Sequence, residues 1–202
     1  MRSGGVATRR DALLTAKLDL GSDAIAARLH RETRLADTVL RAAGALSGRR
    51  RISAVDLSVE GGDAERFVEF FARGSETSDE PMMLRACPDH FAIRTKEDGR
   101  QEVLETTGGS PFASLFVIDY EDISSLATHP DRRFPHQIAG VARTPHGTAV
   151  GGVRHQFRNT ENGFLARLTV EFPLPTIGRM LAGHRWHLAC EFSNWIEAAF
   201  AE

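Results

Sequence analysis

The sequence predicts an α+β fold in which an antiparallel sheet and one long C-terminal helix enclose a cavity. Three observations predict this class. Short alternating segments, separated by turn dipeptides such as Asp98-Gly99 and Asn162-Gly163, occur between residues 91 and 172. The period then changes, and residues 177–200 repeat apolar side chains at helical spacing. A strand and a short helix precede the sheet, which is typical of α+β proteins.

Length and composition restrict the class of protein further. The chain has 202 residues, of which 42% are apolar and 26% charged, with a formal charge of -2. This composition predicts one sizeable core and excludes most disordered and fibrous proteins. No apolar run approaches the about 18–20 residues of a membrane span, and the N-terminus lacks a secretory h-region, so a cytoplasmic protein without a membrane partner is expected. Cys87 and Cys190 lack the CxxC spacing of a zinc knuckle.

Residues 1–51 are predicted to form a basic, helical N-terminal extension. They hold 11 Lys or Arg against 5 Asp or Glu, whereas the remainder holds 14 against 22. Residues 22–47 predict one bent helix or two, with a cap at Ser22 or Asp23. Such an extension can contact nucleic acid, its own acidic body or a partner subunit. Because aromatic residues are not interleaved with the basic ones, no nucleic-acid partner is expected.

Residues 52–202 are predicted to form the catalytic domain. Residues 52–59 predict a strand, Gly61-Gly62 a turn, and Asp63 the cap of a short helix. Residues 74–81 are polar and acidic, which predicts a loop. The remaining strands are predicted at 91–95, 101–107, 113–119, 137–143, 148–158 and 163–172.

The closing helix carries polar residues on its apolar face. On a helical wheel His184, His187 and Glu191 fall within the predicted core-facing arc. The apolar members of that arc are Ile177, Met180, Leu181, Leu188, Trp195, Ala198 and Ala199. Histidine and glutamate are costly to bury without partners, and a metal ion would satisfy all three. The alternative is that the histidines hydrogen-bond to the sheet and the glutamate pairs with an arginine.

Other candidate residues lie on strands. His155 alternates with Arg154 and Gln156, so it is predicted on the apolar side as a candidate general acid or base. Glu105 is predicted to point inward, and His90 lies in a turn that leads into a strand. Three histidines in connections are predicted at the surface, and His30 is assigned no role; the three are His129, His136 and His146.

Several short motifs follow one another in a familiar order. They are Val55-Asp56-Leu57, Phe70-Phe71, Pro88-Asp89-His90, Glu105-Thr106-Thr107-Gly108-Gly109, His155-Gln156-Phe157-Arg158 with Gly163 and Arg167, and His187-Leu188-Ala189-Cys190-Glu191-Phe192. In this order, from about residue 55 to 195, the chain resembles the diacetylphloroglucinol hydrolase and phloretin hydrolase family. The resemblance implies a Bet v 1-like helix-grip fold and a zinc-dependent cleavage of the carbon–carbon bond between an acyl group and a phenolic ring.

The resemblance also implies roles for individual residues. The implied Zn²⁺ ligands are His90, Glu105, His187 and Glu191. His184 becomes part of the pocket wall, and His155 matches a histidine that contacts substrate near the metal, where it would shuttle a proton. Family tyrosines correspond to Val170 and to a position near Met82, so these two residues are expected in a more apolar pocket that does not suit a polyphenol.

These observations predict a zinc-dependent hydrolase that cleaves a carbon–carbon bond of a ketone, of the acyl-phenol or β-dicarbonyl type. Two alternatives stay open: a helix-grip protein that only binds an apolar small molecule, and a non-haem iron enzyme, because two histidines and a carboxylate also suit Fe²⁺. The expected partner is a small ketone or aromatic substrate. Trp186 lies opposite the buried arc of its helix, which favours a homodimer unless the N-terminal helices cover it.

Overall fold

The computed structural model describes residues 5–174 and 176–201, so residues 1–4 of the predicted extension, Pro175 and Glu202 lie outside the described residues. Within that range five helices and seven strands follow one another. They are α1 (Val6–Leu20), α2 (Ser22–Leu46), β1 (Arg50–Glu60), α3 (Ala64–Glu76), α4 (Glu80–Arg85), β2 (His90–Thr95), β3 (Gln101–Glu105), β4 (Ser114–Asp119), β5 (His136–Arg143), β6 (Ala149–Thr160), β7 (Gly163–Pro173) and α5 (Gly178–Phe200). None of the described helices is long and apolar enough to cross a membrane.

The seven strands form one antiparallel sheet in the order β1-β7-β6-β5-β4-β3-β2. Strands β2 to β7 are neighbours in chain order, and β1 pairs with β7 at the far edge. Helix α5 packs against β1 and α3, and its buried apolar face includes Leu188, Phe192 and Trp195. This arrangement confirms the predicted α+β, Bet v 1-like helix-grip fold.

Local sequence explains how α3 is placed over the core. The Asp63 carboxylate accepts a hydrogen bond from the backbone N–H of Arg66 at 3.0 Å, which confirms the predicted N-terminal cap. The helix then buries Phe67 completely, and its ring contacts those of Phe157 and Phe192. One aromatic cluster therefore joins α3, the sheet and α5 beside the cavity.

The loop predicted at residues 74–81 is present only at residues 77–79, so that prediction was wrong in its extent. Helix α3 continues to Glu76, and α4 begins at Glu80. The Asp79 side chain accepts a hydrogen bond from the N–H of Met82 at 3.1 Å and caps α4. Acidic residues are common both in loops and in the first turn of a helix, and only the cap geometry distinguishes the two.

The predicted buried arc of α5 is correct in its middle and wrong at its ends. Ile177 lies before the first helical turn and is exposed, and Ala198 near the C-terminus is also exposed. Phe192 and Ile196, which were outside the predicted arc, are buried. A helix that runs across a sheet and under α3 is covered on more than one side, so its buried surface is wider than a single stripe.

The N-terminal helices belong to the same packed body. Leu14 of α1 is part of the main core, and Ile25 of α2 forms a second apolar cluster with Ala92 and Leu104. Strand β1 begins at Arg50, so the predicted boundary at residue 51 falls inside a strand. Among the described residues of the predicted extension, 6–20 and 22–46 are helical, and both helices pack against the rest of the chain.

The ion pairs between the N-terminal helices and the rest of the chain have the opposite polarity from a basic extension docked on an acidic surface, which was one of the alternatives that the sequence left open. Arg85 of α4 pairs with Asp11 of α1 at 2.8 Å, and Arg94 of β2 pairs with Asp23 of α2 at 2.8 Å. The extension supplies the acid in both pairs. Net charge over a segment does not determine which individual side chains meet at an interface.

Candidate metal centre and cavity

A cavity of about 360 Å³ lies between the sheet, α5 and α2. Most of its lining is apolar, and the polar side chains include all four predicted metal ligands together with His155 and His184. Its size is near the lower end of the about 300–1,000 Å³ that is typical of small-molecule sites.

Two neighbouring strands and one helix position the four predicted ligands. His90 is the first residue of β2 and Glu105 the last residue of β3, and antiparallel pairing places the two directly opposite each other. His187 and Glu191 are four residues apart, so they lie one above the other on the buried face of α5. The sheet edge and the helix therefore each contribute one histidine and one glutamate.

The side-chain atoms of these residues converge on one point. The Nε2 atom of His90 lies 3.0 Å from Oε2 of Glu191 and 3.5 Å from Oε2 of Glu105. The Nε2 atom of His187 lies 3.5 Å and 3.6 Å from the same two oxygens. Each of the four residues is at most 7% exposed. Two imidazoles and two carboxylates are thus gathered in the interior of the protein, at the wall of the cavity.

The contacts of the two Nδ1 atoms show which nitrogen of each histidine carries the proton and which carries a lone pair. Nδ1 of His90 lies 3.2 Å from the carbonyl oxygen of Met83, which can only accept, so Nδ1 carries the proton. Nδ1 of His187 lies 3.5 Å from Oδ2 of Asp89. In their neutral forms both histidines therefore present unprotonated Nε2 atoms to carboxylate oxygens. Such a contact between acceptors requires a proton or a metal cation between them.

The pKa values of the clustered side chains also indicate that the cluster attracts positive charge. Burial alone would lower the pKa of His187, but the carboxylates of Glu191 and Glu105 outweigh burial and raise it above its usual value. Burial tends to raise the pKa of Glu191, but His187 and His90 lower it overall. The Glu191 carboxylate is therefore held in its charged form and attracts positive charge, which either protons or a divalent ion can supply.

A second possible set of ligands consists of Cys87, His90 and His187, whose donor atoms lie within 4.8 Å of one another. The Sγ atom of Cys87 lies 3.6 Å from Nδ1 of His187, on the opposite side of the ring from the carboxylates. His90 has only Nε2 free, and that atom faces the carboxylates. The set with two glutamates therefore uses the available nitrogen of each histidine better than the cysteine set does.

His184 lies beside this cluster but is directed elsewhere. Its Nδ1 is 3.0 Å from the hydroxyl oxygen of Ser53, and its ring stacks on that of His187 with a centroid separation of 5.6 Å. It lines the cavity. Burial lowers the pKa of His184 to about 4, so the ring is neutral at neutral pH. This position agrees with a role in the pocket wall.

His155 occupies the cavity wall on β6, with its ring centroid 4.6 Å from that of Phe192. Its Nδ1 accepts a hydrogen bond from the backbone N–H of Thr169 at 3.2 Å, so the neutral ring carries its proton on Nε2. Burial lowers the pKa of His155 to about 4. At neutral pH the side chain is therefore an uncharged hydrogen-bond donor.

The low pKa of His155 predicts a pH-dependent stability. Between pH 6.5 and about 4 the unfolded chain binds a proton at this residue and the folded chain does not, so stability falls as the pH is lowered through this interval. His155→Gln should reduce the loss of unfolding free energy between pH 7 and 5 by about 2 kcal/mol. Urea denaturation at both pH values measures this, with His129→Gln at an exposed position as the control. Equal losses for His155→Gln and the unsubstituted protein would contradict the prediction.

Of the two residues that were expected in the apolar pocket, one lines the cavity and the other does not. Val170 of β7 lines the cavity as predicted. Met82 does not: it belongs to α4, and its methyl group packs against Gly74 of α3, where a Cβ atom would lie only 1.9 Å from Met82 Cε. Met82 is placed by α4, which spans Glu80–Arg85 and packs against α3.

The sequence analysis missed that Tyr120 lines the cavity. The Tyr120 hydroxyl donates a hydrogen bond to Oε1 of Gln101 at 2.9 Å, and burial raises the pKa of this phenol above its usual value. The alternation through Ser114, Phe116 and Ile118, which all line the cavity, continues to Tyr120 and could have identified it. The pocket therefore contains one tyrosine hydroxyl, at a position that the sequence analysis did not name.

Comparisons with known proteins add little to this geometry. No family model and no curated protein matches the sequence. Among solved structures, the chain is similar to the solution NMR structure of the AHSA1-like protein from Aeromonas hydrophila, with a TM-score of 0.46 and 14% sequence identity, over 75% of this chain and 96% of that chain. The fold assignment therefore depends on the strand order and on the position of α5.

Proposed function

We propose that this protein is a metal-dependent hydrolase that cleaves a carbon–carbon bond of a ketone of the acyl-phenol or β-dicarbonyl type, with Zn²⁺ as the preferred metal. The convergence of two histidine Nε2 atoms and two glutamate Oε2 atoms at the end of an apolar cavity carries the proposal. The order of sequence motifs that resembles the phloretin and diacetylphloroglucinol hydrolases supports the reaction class.

The chemistry of the residues fits a divalent metal. His90, Glu105, His187 and Glu191 would hold it, and the Nδ1–H groups of both histidines already have acceptors, as is usual for histidines that bind metals. This donor set suits Zn²⁺ and also Fe²⁺, so a non-haem iron enzyme is the nearest alternative. When bound, the metal would polarise the ketone oxygen and lower the pKa of water toward about 7.

The protein's own residues would hold and orient the substrate. The apolar walls exclude water, and the Nε2–H of His155 can donate a hydrogen bond to a substrate oxygen. The proton shuttle predicted for His155 requires a free lone pair at Nε2, and the contact with Thr169 leaves the proton there instead. We therefore assign His155 an orienting role. The departing carbon must delocalise its charge, as an electron-rich ring or a β-dicarbonyl can.

A second candidate function is non-catalytic binding of an apolar small molecule. The mainly apolar lining of the cavity, including Val170 where the family has a tyrosine, favours it.

The homodimer stays a proposal, supported by Trp186, which is 80% exposed on α5. Gel filtration of the unsubstituted chain and of Trp186→Glu tests the dimer, because a charge at the centre of an apolar interface would shift the equilibrium to monomer.

Glu105→Gln tests the function. The isosteric amide keeps the shape of the side chain but removes the negative charge, so the variant should lose at least about 100-fold in metal affinity and a similar factor in hydrolysis. Glu102→Gln is the control, because Glu102 lies on the same strand and pairs with Arg94 instead. Elemental analysis of protein purified without chelators measures the metal, and release of acid from 1-phenylbutane-1,3-dione and 2′,4′,6′-trihydroxyacetophenone measures the activity.

The outcomes separate the candidate functions. One equivalent of zinc together with acid release supports the hydrolase, whereas one equivalent of iron identifies the iron enzyme. A metal-free protein that keeps its thermal stability and binds apolar ligands would be a binding protein, and the hydrolase proposal would be wrong.

A further inference from the structure

We propose that α2 limits the length of the apolar tail that a substrate can carry, and that the cavity selects uncharged ketones whose tails lie beneath this helix. The inference deepens the proposed function, because the ketone head group rests on it. Binding of the tail against this wall does not require hydrolysis of the ketone.

Helix α2 forms one part of the cavity wall. Ala36, Val39 and Leu40 line the cavity there, and Ala36 is only 8% exposed. Elsewhere in the lining, Phe192 and Trp195 are buried. Trp195 lies next to the metal-binding cluster, with its ring 5.7 Å from that of His90. A ligand with its ketone at the cluster would extend its tail toward α2.

Contacts along α2 fix this wall in place. Near the start of the helix Asp23 pairs with Arg94 at 2.8 Å, and further along Glu32 accepts a hydrogen bond from the backbone N–H of Ala113 at 3.3 Å. Near its end the helix passes close to β6, because a Cβ atom on Gly44 would lie 3.6 Å from the carbonyl oxygen of Ala149. Residues 36–40 lie between these attachments, so they can act as a firm limit.

The charges of the lining select against anions. Among the described residues that line the cavity there is no lysine or arginine, and Glu105 and Glu191 carry its acidic groups. The carboxylate of Glu171 is not available to a ligand, because it accepts hydrogen bonds from the backbone N–H groups of Ala127 and Thr128. An anionic tail would lose its hydration without gaining a cationic partner along the wall. An uncharged tail has no such cost, and its burial is favourable for each methylene group.

Binding of a series of alkyl phenyl ketones, from acetophenone to decanophenone, tests the limit in the full-length protein. Affinity should rise by about fourfold per methylene until the tail reaches α2, and then fall. Ala36→Phe adds six carbon atoms to the wall and should shorten the best tail by several methylenes, and Leu40→Ala removes three and should lengthen it by about three. Leu35→Ala is the control, because Leu35 is 47% exposed on the same helix and does not line the cavity.

Opposite shifts in the two variants cannot come from a general loss of stability, and the Leu40→Ala shift decides the question if Ala36→Phe does not fold. An unchanged length profile in Leu40→Ala would overturn the role of α2. Valerophenone should bind at least tenfold more tightly than 5-oxo-5-phenylpentanoate, which keeps the phenyl ketone and adds a carboxylate at the end of the tail, and equal affinity would overturn the selection for uncharged tails. These simple ketones lack an activated leaving group, so their binding profile can support the tail wall even if no ketone is hydrolysed.

Discussion

His187→Ala is expected to abolish metal binding, whereas His184→Ala, three residues earlier on the same helix, is expected to preserve it. The reason is the direction of each ring. Nε2 of His187 lies 3.5 Å from the Glu191 carboxylate in the four-residue cluster, but Nδ1 of His184 is engaged by Ser53. His187→Ala also leaves two buried carboxylates with one fewer cationic partner. We expect metal content to fall from about one per chain to below about a tenth, and hydrolysis by at least about 1,000-fold.

Elemental analysis and thermal unfolding with and without a chelator measure this pair of variants. A bound metal stabilises the folded state, so a chelator should lower the melting temperature of the unsubstituted protein and of His184→Ala but not of His187→Ala. Cys87→Ser distinguishes the two possible ligand sets. It should retain the metal, because Sγ of Cys87 contacts Nδ1 of His187 on the side away from the carboxylates. Metal loss in Cys87→Ser with retention in Glu105→Gln would instead identify the cysteine set.

The helical half of this site could be predicted from local sequence. His187 and Glu191 are four residues apart in a strongly helical segment, and this spacing alone places both on one face. The positions of His90 and Glu105 could not be derived that way. They meet because β2 and β3 pair in one particular register, and a shift of one residue would turn one of them to the other face of the sheet. Only the resemblance to a known family indicated that pair.

The part of the cavity wall that α2 forms could not be predicted, because it depends on contacts between distant parts of the chain. The pattern of residues 22–47 predicts a helix, but it does not indicate that Ala36 and Leu40 face a cavity whose other walls lie more than 30 residues later. Helix α1 was not predicted as a separate element, because only Leu14 and Lys17 of its residues are buried. Because so few residues of α1 are buried, its sequence shows little periodicity of apolar residues.

Leu14→Ala is expected to destabilise the whole protein, although Leu14 lies in the segment that the sequence marks as an extension. Leu14 is 7% exposed and belongs to the main core. Truncation of such a residue leaves a cavity and costs about 2–4 kcal/mol, a large part of the about 5–15 kcal/mol that stabilises a typical domain. Leu13→Ala is the matched control, because its side chain is 40% exposed and should contribute less than about 1 kcal/mol.

Urea unfolding followed by circular dichroism measures both variants, and the shape of the transition is as informative as its midpoint. If α1 is part of the same cooperative unit as the sheet, Leu14→Ala shifts a single transition to lower urea and leaves its slope unchanged. An early separate phase, with the main transition unmoved, would show that α1 unfolds on its own and that the predicted separate extension was right. The buried Lys17 favours the first result. Its ammonium group donates to the carbonyl oxygens of Pro88, at 2.7 Å, and of His90, so α1 is attached directly to the backbone of a predicted metal ligand.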